Sequence, residues 1–386
     1  MISCFVLCMV IQVYPQGCSI KVDMLRGQKK PVFVDERDKL VIPQNGQINV
    51  VPNGIIKLLC PNDNTFTIER TNLLQAICIS GTTFRILQKN QDIRSLECAK
   101  PVKGDATNTR TTCGGQQGNI IILGFQMNNI NLQIVEVCYS NSRGIPLYSG
   151  HELLGRLVAS FQKTDRLSSF QTTLLNGQID ANMVFKKENE MANFNKLLGT
   201  TQNINTNSYL AKGHLAPTGD FPFNSWQSAT FFYVNVAPQW QSINNGNWKI
   251  IENLSRDTAK YYNNTLQVYT GTHDVLELTH ANGSKIKMFM VPDKMLLPIP
   301  KFIWKILYLE TAKKAIAFIS LNNPFAKTLA TTDKLCTDVC DRYGWKRAAS
   351  TDGSKGFIYC CDVRDFLQGV QTAPRITVNG ILESPR

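Results

Sequence analysis

Cysteines crowd the two ends of this chain and are missing from its middle: Cys4 and Cys8, then Cys18, Cys60, Cys78, Cys98, Cys113 and Cys138, and, after a long cysteine-free stretch, Cys336, Cys340, Cys360 and Cys361. The first two fall within MISCFVLCMVIQV, an apolar stretch too short to span a bilayer and followed by Tyr14-Pro15-Gln16-Gly17. It reads as a signal peptide over residues 1–17, although no Lys or Arg precedes the apolar stretch. A cut after Ser19 fits the small-residue rule better, but it would leave an odd cysteine; a cut before Cys18 leaves six cysteines and four. Both counts are even, which predicts disulfides closed within each region in an oxidising compartment. Zinc is the competing use, but paired CxxC knuckles do not occur. A chain pinned in this way folds as a tied N-terminal part, a free middle and a tied C-terminal part.

The rest of the chain has the makings of a core, with 386 residues of which 43% are hydrophobic and 9% aromatic. The net charge of +12 attracts polyanions, whether nucleic acid, sulfated glycan or acidic membrane. No later run is long and apolar enough for a membrane span, so the expectation is a secreted, extracellular protein with no membrane contact after signal cleavage. Residues 18–140 read as short strands between polar turns, at 55–60, 82–88, 119–127 and 131–139, giving a small disulfide-tied β domain of unknown role. Turn formers in NSRGIP at 141–146 predict a junction. Beyond it, residues 145–386 read as α+β: a strand in FFYVNVAP at 231–238, a helix over 248–262, and strands at 266–272, 304–310 and 314–321. Asn253, Asn263 and Asn282 open glycosylation sequons; Asn253 falls on the helix of interest and is not expected to carry a glycan.

The informative stretch is AKGHLAPTGDF at 211–221 followed by FYVNVAPQWQSINNGNWKIIENLSR at 232–256. His214 is followed by Asn235 with Pro238-Gln239, Asn244 nine residues after Asn235, Glu252 eight residues later, and Arg256 one helical turn beyond. Several residues at fixed spacing are more specific than any one of them. The pattern resembles the DNA/RNA non-specific endonucleases with a ββα-metal site, most closely their secreted gut double-stranded-RNA nucleases of arthropods. The resemblance continues through Tyr269-Thr270-Gly271, IPKFIWK at 299–305 and Asn323-Pro324, covering roughly 145–363.

The resemblance implies a ββα-metal nuclease domain on an antiparallel-rich sheet, with one Mg²⁺, Mn²⁺ being a possible substitute, and no organic cofactor. It implies His214 as general base, Asn244 as metal ligand, Glu252 holding metal-bound waters and Asn235 positioning the loop or those waters. Lys212, Arg256 and, on a loose alignment, Arg166 would contact phosphate. Elementary chemistry runs the same way: water is a poor nucleophile towards a phosphodiester, and a neutral imidazole, with a reference pKa of about 6.5, can take its proton. Mg²⁺ held by few protein oxygens keeps positions open for phosphate. Each residue also has a plainer use: Glu252 and Arg256 as a helix-surface pair, Asn244 as a cap or turn residue, with Asn245 a near-equivalent candidate for the ligand role, and Lys212 and Arg166 as solvated charges. His151, His273 and His280 lack such a context and read as structural or surface histidines.

The sequence departs from the family pattern at Ala211 and Lys212, which stand where the family has Asp and Arg. Lysine still brings charge to a phosphate, as a point rather than a fork. Two readings stand: a secreted endonuclease that leaves 5′-phosphates on double-stranded RNA and DNA, and a catalytically weak homologue that binds or carries extracellular nucleic acid. A lectin-like or heparin-binding protein working through its first domain is a third.

Overall fold

The computed structural model of the protein describes residues 17–161, 169–199, 208–346 and 350–385. Arg166 and, apart from Gly17, the expected signal peptide lie outside these described residues. Every cysteine from Cys18 onward is paired within its own region: Cys18–Cys78, Cys60–Cys98 and Cys113–Cys138, then Cys336–Cys361 and Cys340–Cys360. The even counts therefore predicted the partition correctly.

The first part is β-rich, as its alternation predicts. Strands Val32–Val34, Ile55–Leu59, Leu73–Ser80, Thr83–Ile86 and Lys89–Asp92 form a five-stranded antiparallel sheet in that order. Along the third, Leu74, Ala76 and Cys78 are buried while Gln75 is exposed, the period of two expected of a half-buried strand.

The second sheet carries the architecture. Its strands are β1 (Asp105–Cys113), β2 (Gly118–Met127), β3 (Ile130–Ser140) and β4 (Ile145–Leu154), then, beyond the ribbon strands β5 (Leu210–His214) and β6 (Val236–Trp240), β7 (Thr265–Val275), β8 (Pro300–Leu309), β9 (Lys314–Leu321) and β10 (Ile358–Cys361). The spatial order is β10-β9-β8-β7-β4-β3-β2-β1, antiparallel throughout, with the short strand Gly380–Ile381 added in parallel to β9. The fold is α+β, with three longer or site-bearing helices: α1 (Lys187–Leu198), α2 (Gln241–Asn244) and α3 (Asn247–Tyr262).

The expected junction falls within this sheet. Residues 141–144 are the turn of the β3–β4 hairpin, with Ser140 paired to Ile145. Strands assigned to a first unit thus lie in the same sheet as those assigned to a second. Asn, Ser, Arg and Gly announce that the chain reverses, and Gly144 takes φ +70 to do so. They carry no information on whether the reversal separates two bodies. Burial runs through as well: one apolar cluster joins the N-terminal sheet to Val135, Leu154, Phe221 and Trp226.

Strands β8 and β9 are apolar on both faces because both are covered. Ile303, Leu307, Ile316 and Phe318 pack towards α3, while Phe302, Trp304, Ile306 and Ile319 face a second layer in which Phe366 meets Trp304 at 5.3 Å. The Tyr-Thr-Gly and Ile-Pro-Lys-Phe-Ile-Trp-Lys segments are explained by this pairing. Thr270 sits opposite Lys305 and accepts a hydrogen bond from its ammonium, and Gly271 sits opposite Trp304. A Cβ on Gly271 would lie 2.2 Å from the indole and 2.4 Å from the Leu147 carbonyl oxygen. Gly271→Ala therefore lowers the unfolding free energy by about 3 kcal/mol. Gly177→Ala, with nothing within 4 Å of the new methyl, changes it by less than about 0.5 kcal/mol. Urea unfolding of the two variants checks the contrast.

Candidate active site

Strands β5 and β6 pair with each other outside the large sheet, Lys212 opposite Pro238 and His214 opposite Val236. The chain then passes through α2 into α3, so a two-stranded ribbon is followed directly by a helix. Lys212 and His214, two residues apart on a strand, share one face of the ribbon. The glycine between them is required by close approach, since a Cβ on Gly213 would lie 2.9 Å from the Gln239 Cβ and 3.0 Å from the Ala237 carbonyl oxygen. The first backbone N–H of β5, that of Leu210, donates to the buried carboxyl of Glu190 on α1 at 3.0 Å. A brace for this strand thus comes from α1, although Ala211 supplies no carboxylate.

Helix α3 follows its amphipathic pattern. Trp248, Ile251, Leu254, Ser255, Thr258 and Ala259 are buried, the Ser255 and Thr258 hydroxyls donating to carbonyls one turn back. Its first residue, Asn247, is fixed by donating its side-chain amide to the Gly356 carbonyl and the Ser350 hydroxyl, at 2.7 and 2.6 Å. Lys249, Glu252 and Arg256, on another face of the helix, line a cleft of about 670 Å³. His214, Lys212 and Asn244 line the same cleft, as do Asn245, Lys187, Tyr209, Phe170, Phe185 and Phe231. Five of the seven residues expected from the sequence therefore converge, and Arg166 lies outside the described residues.

Asn235 does not face the cleft. It is fully buried, donating to the carbonyls of Ala216 and Thr230 and accepting from the Ala216 N–H and the Ser149 hydroxyl. Both donors and both acceptor positions are used, so no lone pair is left for a metal or its waters. These bonds hold the loop that follows His214. The same bonds explain a difference in secondary structure, because residues 233–235 form a 3₁₀ turn where a continuous strand was expected, and β6 begins only at Val236.

Under the cleft lies a charge network of which sequence reading found only Arg256. Asp220, with no exposed side-chain surface, accepts from Arg256 at 2.7 Å and from His151 at 3.0 Å. Burial opposes its ionisation, but the His151 hydrogen bond and the Arg256 and Lys305 charges outweigh burial and hold its pKa low. Burial pushes the His151 imidazole down, and its Nδ1 has no partner. Both facts favour a neutral ring that donates from Nε2 to Asp220. Burial also lowers the pKa of Lys305. Arg256 is further tied to the Asn253 side-chain oxygen at 2.6 Å, so its partners are Asp220 and Asn253 rather than Glu252. No local signal could have revealed Asp220 or Lys305, whose partners lie far along the chain.

Glu252 stands above this network with its pKa pushed up to about 7, chiefly by desolvation and only partly relieved by the Lys305 charge. Among the described residues the Asn244 amide makes no hydrogen bond. The Asn244 amide oxygen and the Glu252 carboxyl both line the cleft, and the donors they offer are oxygens. Such oxygens suit a hard divalent ion better than zinc. The His214 ring is packed by Phe170 at 5.0 Å and Phe231 at 5.3 Å, which fixes its plane. Together the cleft offers an oriented imidazole, four cations in Lys187, Lys212, Lys249 and Arg256, and the oxygens of Asn244 and Glu252.

Residues 116–366 match the DNA/RNA non-specific endonuclease family. The chain is 34% identical over 285 residues to a salivary endonuclease of Lutzomyia longipalpis, covering 72% of this chain and 67% of that one. It is 24% identical over 366 residues to a salivary endonuclease of Culex quinquefasciatus, covering 92% and 90%. A chain in the crystal structure of the EndoG/EndoGI complex aligns at 15% identity with a TM-score of 0.39, covering 66% and 89%. The match extends on both sides of the ββα segment, and on it the chain belongs to the DNA/RNA non-specific endonucleases, hydrolytic enzymes that act on nucleic acids.

Proposed function

We propose that the protein is a secreted endonuclease that hydrolyses phosphodiester bonds inside both RNA and DNA, double strands included, through water activated by His214. The observation that carries this reading is the convergence of His214, Lys212, Asn244, Glu252 and Arg256 on one cleft from three separate elements. His214 takes the proton from water while its ring is held by Phe170 and Phe231. Lys212 and Arg256 attract the phosphate, and the anchoring of Arg256 by Asp220 lowers the entropy lost on binding. Asn244 would hold Mg²⁺ and Glu252 would hold waters bound to it, and the ion when bound would stabilise charge on the departing oxygen. Of the described residues, no helix is long and apolar enough to cross a membrane. Backbone recognition by cations distinguishes neither sequence nor sugar.

His214→Ala is expected to lower cleavage of plasmid DNA and long double-stranded RNA by at least about a hundredfold, with affinity for either nearly unchanged. A variant that cuts like wild type removes His214 from the mechanism, and a wild type that binds without cutting supports the weak homologue instead.

The folded Glu252 carboxyl keeps its proton up to about 7, whereas an ordinary glutamate releases it near 4.5. The metal-free protein therefore loses stability as pH rises through that window, and a bound cation restores it by favouring the ionised form. The rise in melting temperature caused by Mg²⁺ should be larger at pH 8 than at pH 5.5. Glu252→Gln should abolish the difference, and equal rises in the unmodified chain would separate Glu252 from the metal.

Because water is the nucleophile, the 2′-hydroxyl of RNA takes no part. Both RNA and DNA should yield 5′-phosphate and 3′-hydroxyl ends by mass spectrometry. Cyclic 2′,3′-phosphates from RNA with no cutting of DNA would contradict the mechanism.

A further inference from the structure

The cleft holds rings as well as charges. Phe170, Phe185 and Tyr209 each line it and are half-buried, the two phenylalanines also packing against the apolar core. They come from three separate stretches of chain, so the amphipathicity of no single element accounts for their meeting. Cations lie against them. The Lys212 ammonium is 5.3 Å from the Phe170 ring centre, 5.9 Å from Phe185 and 5.0 Å from the buried Tyr233, and the Lys187 ammonium is 4.0 Å from Tyr209. A phosphate paired with Lys212 therefore brings its own nucleoside within reach of half-buried aromatic faces.

We propose that Phe185 and Tyr209, with Phe170 beside them, form a stacking platform for an unpaired base next to the phosphate being cut. Cleavage is then fastest where a base can leave its stack: in single strands, and at bulges and mismatches within duplexes. The proposal rests on the nuclease reading of the same cleft. Every base has a π face, so stacking adds affinity without reading sequence. In a perfect duplex that face is covered by neighbouring bases, and exposing it costs a few kcal/mol, less where pairing is already broken. The plainer role for the rings is to seat Lys212 by cation–π attraction. On that account, losing a ring slows paired and unpaired substrates alike.

The two accounts separate in a ratio. Two labelled DNA duplexes of one sequence, differing by a single-nucleotide bulge, are cut by the full chain with Mg²⁺, and rates and cut positions are compared. The wild type should cut the bulged duplex faster, with cuts gathered at the bulge. Phe185→Leu and Tyr209→Leu keep apolar volume but lose the π face, and each should lower the bulged-to-paired ratio about fivefold or more. Phe185→Tyr and Tyr209→Phe should keep it. An unchanged ratio in both leucine variants, or no preference for the bulge in the wild type, overturns the proposal. A second measurement does not depend on cutting: His214→Ala is mixed with a single strand containing 2-aminopurine, whose fluorescence falls when it stacks on a ring. Quenching that Phe185→Leu removes supports the platform even if the wild type proves not to be a nuclease. Binding without quenching overturns the platform even if the wild type cuts.

Discussion

A carboxylate shut away from water must be matched where it lies, and Asp220 is the point at which this protein meets that demand. It sits at the end of the loop following His214, receives Arg256 from α3, and receives His151 from β4 of the large sheet. One buried charge thereby fixes loop, helix and sheet relative to one another. Removing a single partner of such a group typically costs about 3–5 kcal/mol, because the remaining charge stays buried. The cleft inherits that rigidity: the face of α3 that presents Glu252 and Arg256 cannot turn away from the ribbon that presents His214 without breaking the same contacts.

Much of this was legible in the chain, for identifiable reasons. Strand β3 and helix α3 carry periodicity, β2 and β9 are apolar runs of strand length, and even cysteine counts at each end marked which cysteines could pair. Fixed spacing from His214 to Arg256 located most of the site, since a ribbon and the helix after it are continuous in sequence. What was missed depends on contacts between distant residues. Asp220 stood within the segment that drew attention, yet its partners His151 and Arg256 lie on other elements. Asn235 was recognised by position and not by direction, because spacing says nothing about which way an amide points. The turn at 141–144 looked like a boundary because residue preferences describe a reversal and not its surroundings.

Ala211 and Lys212 show how a departure from a pattern can be absorbed. The backbone of β5 is bound by Glu190 from α1, and the Lys212 ammonium lies among aromatic rings that a charge on a flexible stem can use for orientation. Lysine has three rotatable donors and no planar fork, so the rings supply some of the orientation that an arginine carries in its own shape.

The two disulfides near the C-terminus have a consequence of another kind. Cys360 and Cys361 are neighbours on β10, and neighbours on a strand face opposite ways. Cys360 enters the core on the α3 side with Cys340, and Cys361 enters the opposite core beside Cys336. A slip of β10 by one residue would exchange the faces and bring the wrong sulfurs together. With β10 docked on β9 in register, each of the two adjacent cysteines lies on the side of the sheet that holds its own partner. The pair of bridges thus carries the register of an edge strand in covalent form, one on each face.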